Sequence, residues 1–121
     1  MDYNDMLDSI ELYVRENVDK KIGMPIMDLM NSKWVTRLMF HFCRHRTLRF
    51  GEMLRLIPSI SKTALSSSLK EMEARGLIVR YQFNEIPPHT EYSVTEAGLE
   101  YMNLVYSMIQ WEKKYIRIGS E

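Results

Sequence analysis

A chain of 121 residues with 45% hydrophobic composition is one domain's worth, enough to bury about two thirds of its unfolded surface in a single core, so two large domains are excluded. Sixteen Lys and Arg balance sixteen Asp and Glu, which excludes a uniformly basic coating protein and an acidic disordered tail alike. The balance hides a segregation: residues 1–32 carry three basic and seven acidic groups, residues 33–80 ten and three, and residues 81–121 three and six, the pattern of a domain with one anion-facing surface between acidic flanks.

Apolar residues Tyr3, Met6, Leu7, Ile10, Val14 and Val18 recur at steps of three and four, with Asp2, Asp5, Asp8 and Glu11 opposite. This predicts an amphipathic helix at the N-terminus. Gly23 and Pro25 break it and start a second helix, along which Ile26, Met30, Trp34, Leu38 and Phe42 step by four. A short third helix covers Phe50 to Leu56, with Phe50, Met53, Leu54 and Ile57 inward and Pro58 closing it. Ser61 then caps a fourth helix whose inner stripe is Leu65, Leu69 and Met72 and whose end is Gly76 in a left-handed conformation.

After Gly76 the period falls to two. Leu77, Val79, Tyr81 and Phe83 alternate with Arg80 and Gln82 as a strand, and Thr90 to Val94 read as its partner. Between them, Asn84-Glu85-Ile86-Pro87-Pro88-His89 reads as a stiff protruding hairpin tip, since consecutive prolines cannot donate to a ladder. Thr95 caps a last helix to about Ile116, with Leu99, Met102, Tyr106 and Ile109 as one apolar stripe. The predicted class is therefore mainly α with a small β-hairpin, divided into an N-terminal helix (1–22), a core (23–95) and a C-terminal helix (96–121).

Three helices followed by a two-stranded hairpin is the order of a winged helix-turn-helix, in which the last helix of the trio enters the DNA major groove and the hairpin lies over backbone or minor groove. That helix is residues 61–75 and the wing is 84–89. Its outward positions, Ser61, Lys62, Thr63, Ser66, Ser67 and Lys70, combine short hydroxyls that permit close approach with lysine point charges. Arg49, Arg80 and His89 are the further candidate DNA contacts. A solvated polar face is the competing reading of the helix alone, but the basic segment and the wing accompany it.

The order and spacing of several pieces resemble the HxlR-type transcriptional regulators of bacteria and archaea over roughly residues 24–111. These are Lys33-Trp34, Arg49-Phe50-Gly51-Glu52-Met53, Ile60-Ser61 with Leu65-Ser66, Glu71 through Arg80, and above all Ile86-Pro87-Pro88-His89-Thr90-Glu91-Tyr92-Ser93-Val94-Thr95-Glu96-Ala97-Gly98. The resemblance implies a dimeric DNA-binding repressor or activator, with the first and last helices forming the dimer interface. Against the family pattern, Ser68 and His89 stand where arginines are frequent, implying lost DNA-facing charge and, at His89, a pH-dependent wing. Met24 stands where redox-sensing members carry a cysteine, so thiol sensing by that route is not implied.

The dimer is also what surplus apolar surface predicts. Tyr3, Met6, Leu7, Ile10 and Val14 on the first helix, and Leu104, Val105, Met108, Trp111 and Tyr115 on the last, exceed what one winged core needs to bury. The expected partners are thus double-stranded DNA with a palindromic site, a second copy of the chain, and a small-molecule effector that Met- and Tyr-rich helices could line. No run approaches the length of a spanning helix, and a membrane partner is not expected. The lone Cys43 cannot form an internal disulfide and no leader precedes the first helix, pointing to the cytoplasm.

Cys43 reads as an inert core thiol rather than a sensor, although Arg44 and His45 adjoin it. His41 and His45 have metal-ligand spacing but no third ligand and no glutamate at the second position, so neither metal nor cofactor is expected. No GxSxG, P-loop or GxGxxG occurs, and an enzyme is not expected. The alternative function is a winged-helix protein-interaction module with weak or no DNA binding.

Overall fold

The computed structural model describes residues 1–18, 20 and 23–116. It resolves into two compact units, Met1–Ser32 and the part beginning at Lys33. In the first, α1 (Tyr3–Tyr13) starts on a capping box in which Asp2 and Asp5 exchange backbone and carboxylate hydrogen bonds at 2.7 and 3.3 Å. A widened π-helical turn, Val14–Val18, takes over where the sequence predicts the same α-helix continuing. Pro25, needing no amide partner at the first helical position, opens α2 (Pro25–Asn31).

The second unit contains α3 (Val35–His45), β1 (Thr47–Leu48), α4 (Phe50–Leu56), α5 (Lys62–Ala74), β2 (Ile78–Phe83), β3 (His89–Val94) and α6 (Glu96–Tyr115). The predicted second helix is thus two helices. Ser32 turns extended at ψ 128° with its N–H on the Leu29 carbonyl, ending α2, and Trp34 starts α3. Asn and Ser compete with helical backbone bonding, so the break falls at Asn31-Ser32. The buried stripe of α3 is accordingly Val35, Leu38, Met39 and Phe42, with Trp34 only half-buried.

Helices α4 and α5 follow the sequence. Met53 and Ile57 enter the core while Phe50 and Leu54 are half-buried, and Leu65, Leu69 and Met72 of α5 are all buried. Gly76 ends α5 at φ +76°, and the Leu77 N–H reaches back to the Met72 carbonyl at 3.0 Å.

The sheet has three antiparallel strands in the order β1-β3-β2, not two. Arg46 makes the third possible: at φ +71° it turns the chain out of α3, and its carbonyl accepts from Val94 N–H at 2.9 Å, seating Thr47 opposite Ser93. In β2 the expected inward alternation fails beyond the base, since Leu77 and Ile78 are buried but Val79 and Tyr81 are exposed. Only the base of the hairpin meets the core; the rest projects past it. Pairing of Phe83 with His89 begins β3 one residue earlier than predicted, so His89 belongs to the strand and the tip comprises residues 84–88.

Thr95 joins these parts. Its hydroxyl accepts from Gly98 N–H at 3.1 Å as the cap of α6 and donates to the Gly76 carbonyl at 2.6 Å. From that cap, α6 buries Gly98, Tyr101 and Val105, while Tyr106 and Ile109, placed by the sequence on the inner stripe, are exposed. Tyr101 and Thr36 hydroxyls meet at 3.0 Å, fixing α6 on α3.

Candidate nucleic-acid interface

The outer face of α5 carries the predicted recognition residues together. Ser61 is the N-cap, its hydroxyl accepting from Ala64 N–H at 3.0 Å, and it is exposed. Lys62, Thr63, Ser67 and Lys70 are exposed and Ser66 is half-buried. With Phe50 of α4 they line one shallow depression of about 490 Å³.

The inner face explains why these residues point out. Leu65, Leu69 and Met72 anchor the helix, and Ser68 lies among them at 8% exposure, a buried polar residue on the core side. Its position is core-facing, so the expectation that Ser68 represents a lost DNA-touching charge is corrected.

The other candidates lie around this face in different states. Arg49, at the N-cap of α4, donates to Glu91 on β3 at 3.3 Å, while Glu52 accepts the Arg49 N–H at 2.7 Å. Arg80 on β2 is exposed and reaches Gln82 at 3.4 Å. His89 is not at the open hairpin tip where the sequence placed it, but paired in the strand opposite Phe83. Its Nε2 lies 3.1 Å from Glu91, its Nδ1 3.5 Å from Glu85, and its ring stacks on Phe83 at 4.6 Å between centroids. The Arg49–Glu91 link joins residues 42 apart in sequence, and no local signal announces it; only the strand register brings them together.

The candidate dimer residues divide. Tyr3, Met6, Leu7 and Ile10 are exposed and Val14 is half-buried. On α6, Met108, Trp111 and Tyr115 are exposed, with Leu104, Tyr106 and Ile109 exposed beside them. Val105 is corrected: it is 5% exposed and belongs to the core of its own chain.

Between α3 and α6 lies an apolar groove of about 260 Å³ lined by Phe40, His41, Met102 and Ile109 among others. Nδ1 of His41 is buried with no hydrogen-bond partner among the described residues, and burial, then His45, Arg37 and Arg44, hold this imidazole below its ordinary pKa. His41 and His45 stack at 6.4 Å, and among the described residues no group of three His, Cys, Asp or Glu is gathered as metal ligands. Among them too, no helix is long and apolar enough to cross a membrane.

Cys43 is half-buried, its Sγ 3.9 Å from the Gly98 carbonyl, and burial pushes its thiol pKa up against a smaller opposing effect of Arg46. Because the thiolate is the nucleophile, alkylation near neutral pH is expected to be several-fold slower in the folded chain than in denaturant. Equal rates, followed by mass spectrometry, would show an accessible and activated thiol instead.

A family profile described as HxlR-like helix-turn-helix matches residues 29–119. The chain is 35% identical over 94 residues to the HTH-type transcriptional regulator YybR of Bacillus subtilis (strain 168), covering 75% of this chain and 74% of YybR. Among solved structures, it is similar to a chain from Enterococcus faecalis V583 assigned to the MarR family of transcriptional regulators, with TM-score 0.69, 31% identity and coverage of 82% and 88%. Reduced YodB, a transcriptional regulator from B. subtilis, matches with TM-score 0.70 and 26% identity over 78% of this chain and 91% of its own.

Proposed function

The chain belongs to the HxlR-like helix-turn-helix family, and on that premise we propose that it is a sequence-specific, DNA-binding transcriptional regulator that acts as a homodimer in the cytoplasm, by binding rather than by catalysis. The observation that carries the reading is the outer face of α5, where two lysines and three short hydroxyl residues line one depression on a helix whose opposite side is locked into the core. A helix so held presents its side chains to a major groove without freedom to rotate away. In this reading Lys62 and Lys70 take phosphates, Thr63, Ser66 and Ser67 approach base edges, and the wing with Arg80 tracks the backbone or minor groove.

The exposed aromatic and aliphatic residues of α6 support pairing with a second copy, as an apolar surface of this kind is covered in a stable regulator. A two-fold axis sets the recognition helices one DNA turn apart, about 34 Å, and calls for a palindromic site. The groove beside His41 is the volume open to a small effector. An interaction module without DNA binding is the less favoured reading, because the relatives are helix-turn-helix transcriptional regulators.

Sedimentation of the intact chain, alone and with a labelled duplex selected from a random-sequence library, tests both parts. The expected result is a dimer at micromolar concentration and a complex of two chains on one duplex. A monomer at that concentration overturns the dimer, and a chain that shifts no duplex at low salt overturns the DNA reading.

A further inference from the structure

One carboxylate ties the wing to the entrance of α4. Glu91 accepts from Arg49 Nη2 at 3.3 Å and faces His89 Nε2 at 3.1 Å, while His89 in turn faces Glu85 and stacks on Phe83. Among the described residues no ion pair holds Lys62 or Lys70. Arg49 therefore differs from Lys62 and Lys70: its charge is already matched.

The match is loose. The Arg49 side chain is 53% exposed and that of Glu91 26%, and an ion pair so open to water is only weakly favourable. A phosphate held at hydrogen-bond distance can replace it, because a guanidinium fork fits phosphate oxygens at least as well as a carboxylate. Glu91 then keeps His89 as its neighbour. A duplex held off by a layer of water and salt offers Arg49 only a screened attraction, against a carboxylate already in place.

We infer that Glu91 determines specificity by withholding Arg49 from loosely held DNA and yielding it to the phosphate of a closely docked site. The inference rests on the DNA-binding reading above. Without Glu91, Arg49 would add its charge to every encounter, and discrimination would fall.

The test is the salt dependence of affinity for two duplexes, one selected by the wild-type protein from a random-sequence library and one alternating poly(dI-dC). In Glu91→Gln the log–log slope on poly(dI-dC) is expected to steepen by about 0.9 per bound subunit, one added phosphate contact, while the slope on the selected duplex stays unchanged. The affinity ratio between the duplexes then falls several-fold. In Arg49→Gln the selected duplex should lose about 0.9 of its slope and poly(dI-dC) none.

Weaker binding of Glu91→Gln to both duplexes at unchanged slope would make Glu91 a mere anchor of the wing and overturn the inference. Should that variant fail to fold by circular dichroism, Arg49→Gln still decides, since equal flattening on both duplexes means that Arg49 is never withheld. Wild type binding neither duplex overturns the DNA reading and this inference together. Wild-type binding with Glu91→Gln slopes unmoved overturns the inference alone.

Discussion

Alanine at both Lys62 and Lys70 is expected to flatten the log–log dependence of duplex affinity on salt by about 1.8 per bound subunit, with little change in the ratio between cognate and unrelated duplexes. Both lysines are exposed, lie two helical turns apart on one face, and line the same depression beside Phe50. No ion pair among the described residues competes for them, so their full charge is available to displace counterions. A point charge on a flexible stem reads phosphate and not sequence, which is why the loss should be shared by all duplexes.

The contrast comes from the hydroxyl residues between them. Replacing Thr63, Ser66 and Ser67 with alanine should leave the salt slope alone and alter preference, at about 1–3 kcal/mol for each base pair no longer read. Fluorescence anisotropy over a salt series separates the two patterns. An unmoved slope in the double lysine variant would sink α5 as the docking helix, whatever the affinity did.

What the sequence disclosed is what local chemistry controls. Ser61, Pro58, Gly76 and Thr95 mark ends by capping, ring closure or positive φ, so α4, α5 and the start of α6 stand where the residues predict them. The outward set on α5 was legible for the same reason, as its inner stripe is unambiguous. The divided second helix was not, because spacing by four continues through Asn31-Ser32 even though the backbone does not. Strand β1 spans two residues, too few to show any period.

Tertiary register hid the rest. Residues 99–111 of α6 are apolar on most sides, and nothing in their periodicity says which side faces the core. The available signal was Gly98: steps of three and four from it reach Tyr101 and Val105, the residues that are buried. His89 and Arg49 likewise depended on pairings that only the sheet reveals, Phe83 opposite His89 and β3 beside the entrance of α4. Both were legible as candidate DNA contacts and illegible as partners of Glu91.

Gly98→Ala should show how much depends on that close approach. A methyl group at Gly98 would collide with the Leu77 carbonyl oxygen and come within 2.8 Å of both Met39 Cε and Val94 Cγ2. The methionine can swing aside, but the carbonyl cannot, since it accepts from Thr95 N–H at 3.1 Å at the junction of wing and helix. Relief requires α6 to lift from the base of the hairpin, straining the Thr95 cap that bonds both Gly98 and Gly76. Alanine's better helix propensity contributes about 1 kcal/mol in favour of the variant. Overpacking against backbone costs about 3 kcal/mol, so the clash wins by about 2 kcal/mol, or a fall in Tm of about 10 °C. A thermal melt that rises instead would mean that the α6 contact is slack. Because α6 also carries the exposed residues proposed to pair two subunits, a lifted helix should misplace the second recognition helix: affinity for a palindromic duplex should fall further than affinity for a single half-site.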